Sequence, residues 1–151
     1  NSDIILNTDF AATLVDYAGV NAPACSEGRS FRDNLKGETP RDWRQSMYYR
    51  YWTHHKIRPA HMGIRGHRYK LMFLYGDPLN ATGSDKAPVT PSWEFYDLLA
   101  DPHENHNLYG SPTYAGEIEK MKRELLKLRR EIGDTDAANP RMQEIMDAYY
   151  W

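Results

Sequence analysis

At 151 residues, with an aromatic share of 13% and a mean hydropathy of −0.78, the chain is long enough for one cored domain with polar appendages. Its 19 basic and 21 acidic side chains are interleaved, which leaves no basic stripe for a nucleic acid, and no stretch reaches the roughly 20 apolar residues that a membrane span requires. The single cysteine, Cys25, excludes an internal disulfide and, without Cys/His ligand spacing, structural zinc; it reads as a bystander. Asn1 is no natural initiator and opens no export signal, so a fragment or processed product is expected.

In residues 4–18, Ile5, Phe10, Leu14 and Ala18 recur at near-helical spacing, which predicts an amphipathic helix. Asn7 or Thr8 can accept its first free N–H groups, and Gly19 can take the left-handed conformation that closes the last turn. Residues 21–39 read as an ordered loop with one short helical turn and one buried anchor, Phe31. From Ser46 the texture changes to strands at 47–52, 62–65 and 69–75, with a hairpin signal at Gly66-His67 and with Tyr69, Leu71 and Phe73 on one strand face. Residues 76–91 carry Pro78, Asn80, Gly83, Pro88 and Pro91 and read as an exposed loop. A fourth strand at 93–98 runs into a sharp turn at 100–103.

Ser111-Pro112 then marks a helix start, and Tyr114, Ile118, Met121, Leu125, Leu128 and Ile132 form one apolar stripe up to Gly133. Glu119 with Arg123 and Lys127 with Glu131 are i,i+4 pairs worth a few tenths of a kcal/mol each, so packing must supply most of this helix's stability. A last short helix is expected in 140–151, where Tyr149, Tyr150 and Trp151 are too many aromatic residues for a free tail. The predicted fold class is therefore α+β: a small four-stranded antiparallel sheet packed against a long C-terminal amphipathic helix, with an additional N-terminal helix.

Four passages in this order carry a resemblance. They are 7–19 (NTDFAATLVDYAG), Gly28-Arg29-Ser30-Phe31, 61–71 (HMGIRGHRYKL), and Trp93-Glu94-Phe95-Tyr96-Asp97-Leu98 followed by 101–108 (DPHENHNL). The chain resembles the C-terminal region of type I, formylglycine-dependent sulfatases of the alkaline-phosphatase superfamily, in particular those of the heparan and iduronate type. The resemblance implies a division into 1–40, a helix and linker closing the sulfatase main domain, and 41–151, a C-terminal subdomain. It implies as partners that main domain and a sulfated glycan, and a periplasmic, secreted or lysosomal location. It also implies calcium and formylglycine in the domain that is absent here. The cysteine maturation motif is missing, since Cys25 is followed by Ser26, Glu27, Gly28 and Arg29, and Asp97, Asp101 and Glu104 lack the ligand spacing of a hard cation. Neither a catalytic residue nor a metal ligand is therefore assigned, and the chain alone is expected to be inactive.

In the resembled family one edge or loop of this subdomain reaches the rim of the substrate pocket. Sulfate is an anion whose oxygens only accept hydrogen bonds, so cations and donors are wanted there. The candidate substrate-binding residues are His61 first, then His54 and His55, with Arg58 and Arg65. The same His-His-Lys-x-Arg run also suits a solvated turn, and His103 and His106 read as turn residues. Trp43, Tyr48, Tyr49, Tyr51 and Trp52 suit core or interdomain packing before sugar stacking. Two other classes of function fit the same residues: a stand-alone carbohydrate-binding module, and a purely structural or oligomerising domain. The first helix, cut from its packing partners, predicts exposed apolar area and a tendency to self-associate.

Overall fold

The structure, a computed structural model, describes residues 1–151 apart from the side chain of Ala138, and it forms two compact units, Asn1–Gln45 and Ser46–Trp151. Among the described residues no helix is long and apolar enough to cross a membrane.

In the first unit, helix α1 (Asn7–Tyr17) starts around Asp9. The Asp9 carboxylate accepts the Leu6 N–H at 2.7 Å while the Asp9 N–H donates to the Leu6 carbonyl at 3.0 Å. Asn7 accepts the Thr8 N–H at 3.0 Å, so of the two expected caps the asparagine contributes. Gly19, at φ +68, closes the helix as expected, its N–H on Asp16 O and that of Val20 on Val15 O. The buried face, however, is Asp9, Ala12 and Thr13, and none of Ile5, Phe10, Leu14 and Ala18 is buried. The chain turns back across the polar side of α1: Arg29 N–H and the Arg44 guanidinium bind the Asp9 carboxylate, and Thr13 Oγ1 accepts the Phe31 N–H. Gly28 permits this approach, because a Cβ there would lie 2.1 Å from the Thr8 carbonyl oxygen. Phe31 is the expected buried anchor, and the short turn after it is helix α2 (Arg32–Leu35).

In the second unit, strands β1 (Ser46–Tyr51), β2 (His61–Gly66), β3 (Tyr69–Leu74) and β4 (Ser92–Asp97) form an antiparallel meander in the order β1-β2-β3-β4. The register pairs Ile64 with Leu71 and Met62 with Phe73, then Leu71 with Phe95 and Phe73 with Trp93, so one face is continuously apolar. Helix α3 (Ala115–Glu131), entered through a 3-10 turn at Pro112–Tyr114, lays Ile118, Met121 and Leu125 on that face, and helix α4 (Pro140–Tyr149) adds Met142, Ile145 and Met146. Each fully buried apolar side chain stabilises the fold by roughly 1.5–3 kcal/mol, which outweighs the surface pairs Glu119–Arg123 and Lys127–Glu131. Ser111 makes no side-chain cap, and Ile132, expected on the stripe, lies 58% exposed. Gly133, at φ +73, terminates α3.

Candidate functional site

Because strand side chains alternate, the face of the sheet turned away from α3 carries Tyr49 and Tyr51 on β1, His61, Gly63 and Arg65 on β2, Lys70 and Met72 on β3, and Glu94 and Tyr96 on β4. Tyr49 lies across Gly63, where a Cβ would come within 2.7 Å of the tyrosine hydroxyl and 2.8 Å of Leu71 O. That hydroxyl is buried and has no hydrogen-bond partner among the described residues. Burial, and then the carboxylates of Glu104 and Glu94, push its pKa well above the usual phenol value, so it stays protonated. Lys70 is held by Glu104 at 2.5 Å and Tyr96 Oη by Glu94 at 3.0 Å, so the β3–β4 half of this face is internally satisfied.

The β1–β2 half is where the expected substrate residues gather. His61, opposite Tyr51 in the register, stacks on that ring at 5.4 Å and meets the Tyr49 ring edge-on at 5.9 Å. Its Nδ1 lies 2.8 Å from Pro59 O. Arg58 places its guanidinium 4.9 Å over the same Tyr51 ring. Arg65 is exposed on the same strand face, two residues beyond Gly63, and roughly 13 Å from His61 at strand rise. Among the described residues neither Arg58 nor Arg65 enters an ion pair.

His54 and His55 differ from these in kind. His54 is fully buried: its Nδ1 accepts the Ala60 N–H at 3.3 Å and its Nε2 donates to Ala87 O at 3.0 Å. Both ring nitrogens are thus spent on pinning the β1–β2 loop to residues 84–87, helped by the His54 N–H on Ser84 Oγ and the Asp85 N–H on His54 O. His55 and Arg58 bond each other's backbone in a tight turn, with the His55 ring 3.7 Å from Asp85 Oδ1. The Lys56 N–H and the neighbouring His55 hold the Asp85 carboxyl below its usual range, so that carboxylate anchors the turn. The sequence places all five residues in one region, and the structure separates His61 and Arg65 on the outer face of β2, and Arg58, a loop residue whose guanidinium lies over Tyr51, from His54 and His55, which hold the loop.

Elsewhere, a cleft of about 500 Å³ opens between residues 88–91 and α4, but its cation, Arg141, is bound to Asp77 at 3.0 Å and to Glu144 at 2.9 Å. Cys25 is exposed and unpaired, and among the described residues no group of three or more His, Cys, Asp or Glu side chains is placed to hold a metal ion. Asp97, at the end of β4, is structural: Arg68 binds it at 2.8 Å and the Leu99 N–H at 3.2 Å, and the Arg68 guanidinium first holds its carboxyl below the usual range, against burial.

Residues 1–131 match the family model described as N-sulphoglucosamine sulphohydrolase, C-terminal. The chain belongs to this family. It is 34% identical over 141 residues to an N-acetylglucosamine-6-O-sulfatase of Bacteroides thetaiotaomicron, covering 90% of this chain and 23% of that protein. An ulvan-active sulfatase of Formosa agariphila is 28% identical over 160 residues, covering 92% of this chain and 31% of that one. A solved structure bound to its substrate D-glucosamine-2-N,6-O-disulfate superposes with a TM-score of 0.68 at 32% identity, over 87% of this chain and 25% of the other. The chain therefore spans about a quarter to a third of the length of these relatives. The sulphohydrolase C-terminal match takes in α1, the whole sheet and α3, so the β1–β2 loop and His61 lie inside the family's shared region.

Proposed function

We propose that this chain is the C-terminal subdomain of a sulfatase that hydrolyses sulfate esters of a glycan, supporting the main domain and shaping the substrate-pocket rim with no catalytic centre of its own. The observation that carries the reading is the His61 cluster: an imidazole in contact with Tyr49 and Tyr51, with one nitrogen unpartnered among the described residues, and Arg58 and Arg65 exposed on the same side of the sheet. Cations without carboxylate partners suit a sulfated sugar, since an anion then meets no competing charge. His55 and the buried His54 serve as supports that fix the loop. The sulfatases and glycan names of the relatives give the same direction.

Calcium and formylglycine belong in this reading to the main domain. The residues present do not fit either group, because Cys25 sits in Cys-Ser-Glu-Gly-Arg and no carboxylate cluster accompanies it, so no step is derived through them. Residues 1–40 close the main domain, and the exposed Phe10, Leu14 and Tyr17 of α1 are the side chains that domain would cover. The location is periplasmic, secreted or lysosomal.

The test uses the full-length parent enzyme beside the isolated chain. Sulfate release from sulfated oligosaccharides is expected from the parent and absent from the chain alone, and Arg58→Ala and Arg65→Ala in the parent each raise KM by about 3- to 10-fold with little loss of kcat. Tight glycan binding by the isolated chain would favour a stand-alone binding module instead.

A further inference from the structure

The fold fixes the hydrogen-bond polarity of His61. A carbonyl oxygen only accepts, so the 2.8 Å contact with Pro59 O places the proton on Nδ1. The neutral ring then carries a lone pair on Nε2, and no described residue bonds that atom. A half-turn of the ring would put Cδ2 where Nδ1 now meets the Pro59 carbonyl and so lose that bond, and the contacts with the stacked Tyr51 and the edge-on Tyr49 hold the present orientation. The carbonyl itself is held in place one residue on, where the Ala60 N–H is bound to the buried His54.

We infer that His61 acts as a hydrogen-bond acceptor, reading a hydroxyl or N–H donor on the glycan and not a sulfate oxygen, which is left to Arg58 and Arg65. This rests on the proposed placement of His61 at the pocket rim. Two lone pairs repel, so an Nε2 acceptor turned toward a sulfate oxygen would weaken binding. Tyr49 and Tyr51 from β1 pack on the ring, Arg58 from the loop lies over Tyr51, and the β3 partner of His61, Leu74, carries no charge.

The experiment compares kcat/KM of the full-length parent carrying His61→Gln, His61→Lys or His61→Ala. Glutamine can present an acceptor oxygen near the Nε2 position, whereas lysine only donates, so Gln is expected within about 5-fold of wild type and Lys and Ala about 10- to 100-fold below it. Lysine equal to or better than glutamine overturns the acceptor assignment while leaving His61 at the rim. An alanine variant with unchanged kcat/KM removes His61 from the rim and with it the proposed reading of the site. Independently of folding of the variants, a long-range 1H–15N spectrum of the wild-type protein at neutral pH is expected to show His61 protonated at Nδ1, and the Nε2–H tautomer would sink the inference.

Discussion

Lys122 sits on the apolar side of α3, one position from Met121 and one turn from Ile118, where the sequence stripe has no place for it. It is 4% exposed, its ammonium donates to Tyr150 O at 2.5 Å, and it lies 4.3 Å over Trp93 and 5.2 Å over Tyr109. Burial pulls its pKa down to about 8. The unfolded chain holds that proton up to a normal lysine pKa, so between the two values the unfolded state binds more protons and stability rises with pH. The penalty is fully present below pH 8 and relieved toward pH 10. The unfolding free energy of the wild type is therefore expected to gain about 1–2 kcal/mol relative to Lys122→Met between pH 7 and 9.5, measured by urea denaturation. A flat difference would show that the aromatic rings and the Tyr150 carbonyl cancel the desolvation. Arg129 is a second buried cation of α3, bound to Asp136 at 2.6 Å, beside Asp134, which holds Arg50 and Tyr48. Neither lysine nor arginine was legible as an interior residue, because helical spacing sorts residues by polarity and these two reach polar partners that only the folded chain supplies.

Among the elements, the four strands and α3 were legible because each buries one face against the other, and periods of 2 and 3.6 record which residues lie on that face. β3 keeps Tyr69, Leu71 and Phe73 on the core side as the alternation requires. α1 has the same kind of pattern with the opposite outcome: Phe10 and Leu14 are 57% and 70% exposed while a carboxylate is buried. A stripe states that a face is apolar and is silent on what covers it. Gly63 is the element-scale detail that spacing cannot show, since its need comes from Tyr49 on one neighbouring strand and the Leu71 carbonyl on the other. Gly63→Ala is expected to lower the unfolding free energy by about 1–3 kcal/mol in chemical denaturation, as the added methyl has to displace a backbone carbonyl; a neutral substitution would contradict the close packing described.

For the whole molecule, the exposed Phe10, Leu14 and Tyr17 predict that the chain alone associates in a concentration-dependent way, and that Phe10→Ser with Leu14→Ser makes it monodisperse in sedimentation velocity. A wild-type chain that stays monomeric at every concentration would mean that this face needs no cover. The sequence by itself determined the α+β class, the meander, the long helix and the family, because these follow from periodicity and from passages with fixed turn residues such as Gly66-His67 and Asp101-Pro102. It also brought His54, His55, Arg58, His61 and Arg65 into one region. Only the tertiary structure decided that the first of these is spent inside the loop, that His61 Nδ1 meets the Pro59 carbonyl, and that Arg58 and Arg65 stand without acidic partners among the described residues. Those properties depend on carbonyls and rings brought together from Pro59, Ala87, Tyr49 and Tyr51, and a one-dimensional pattern carries no distance between them.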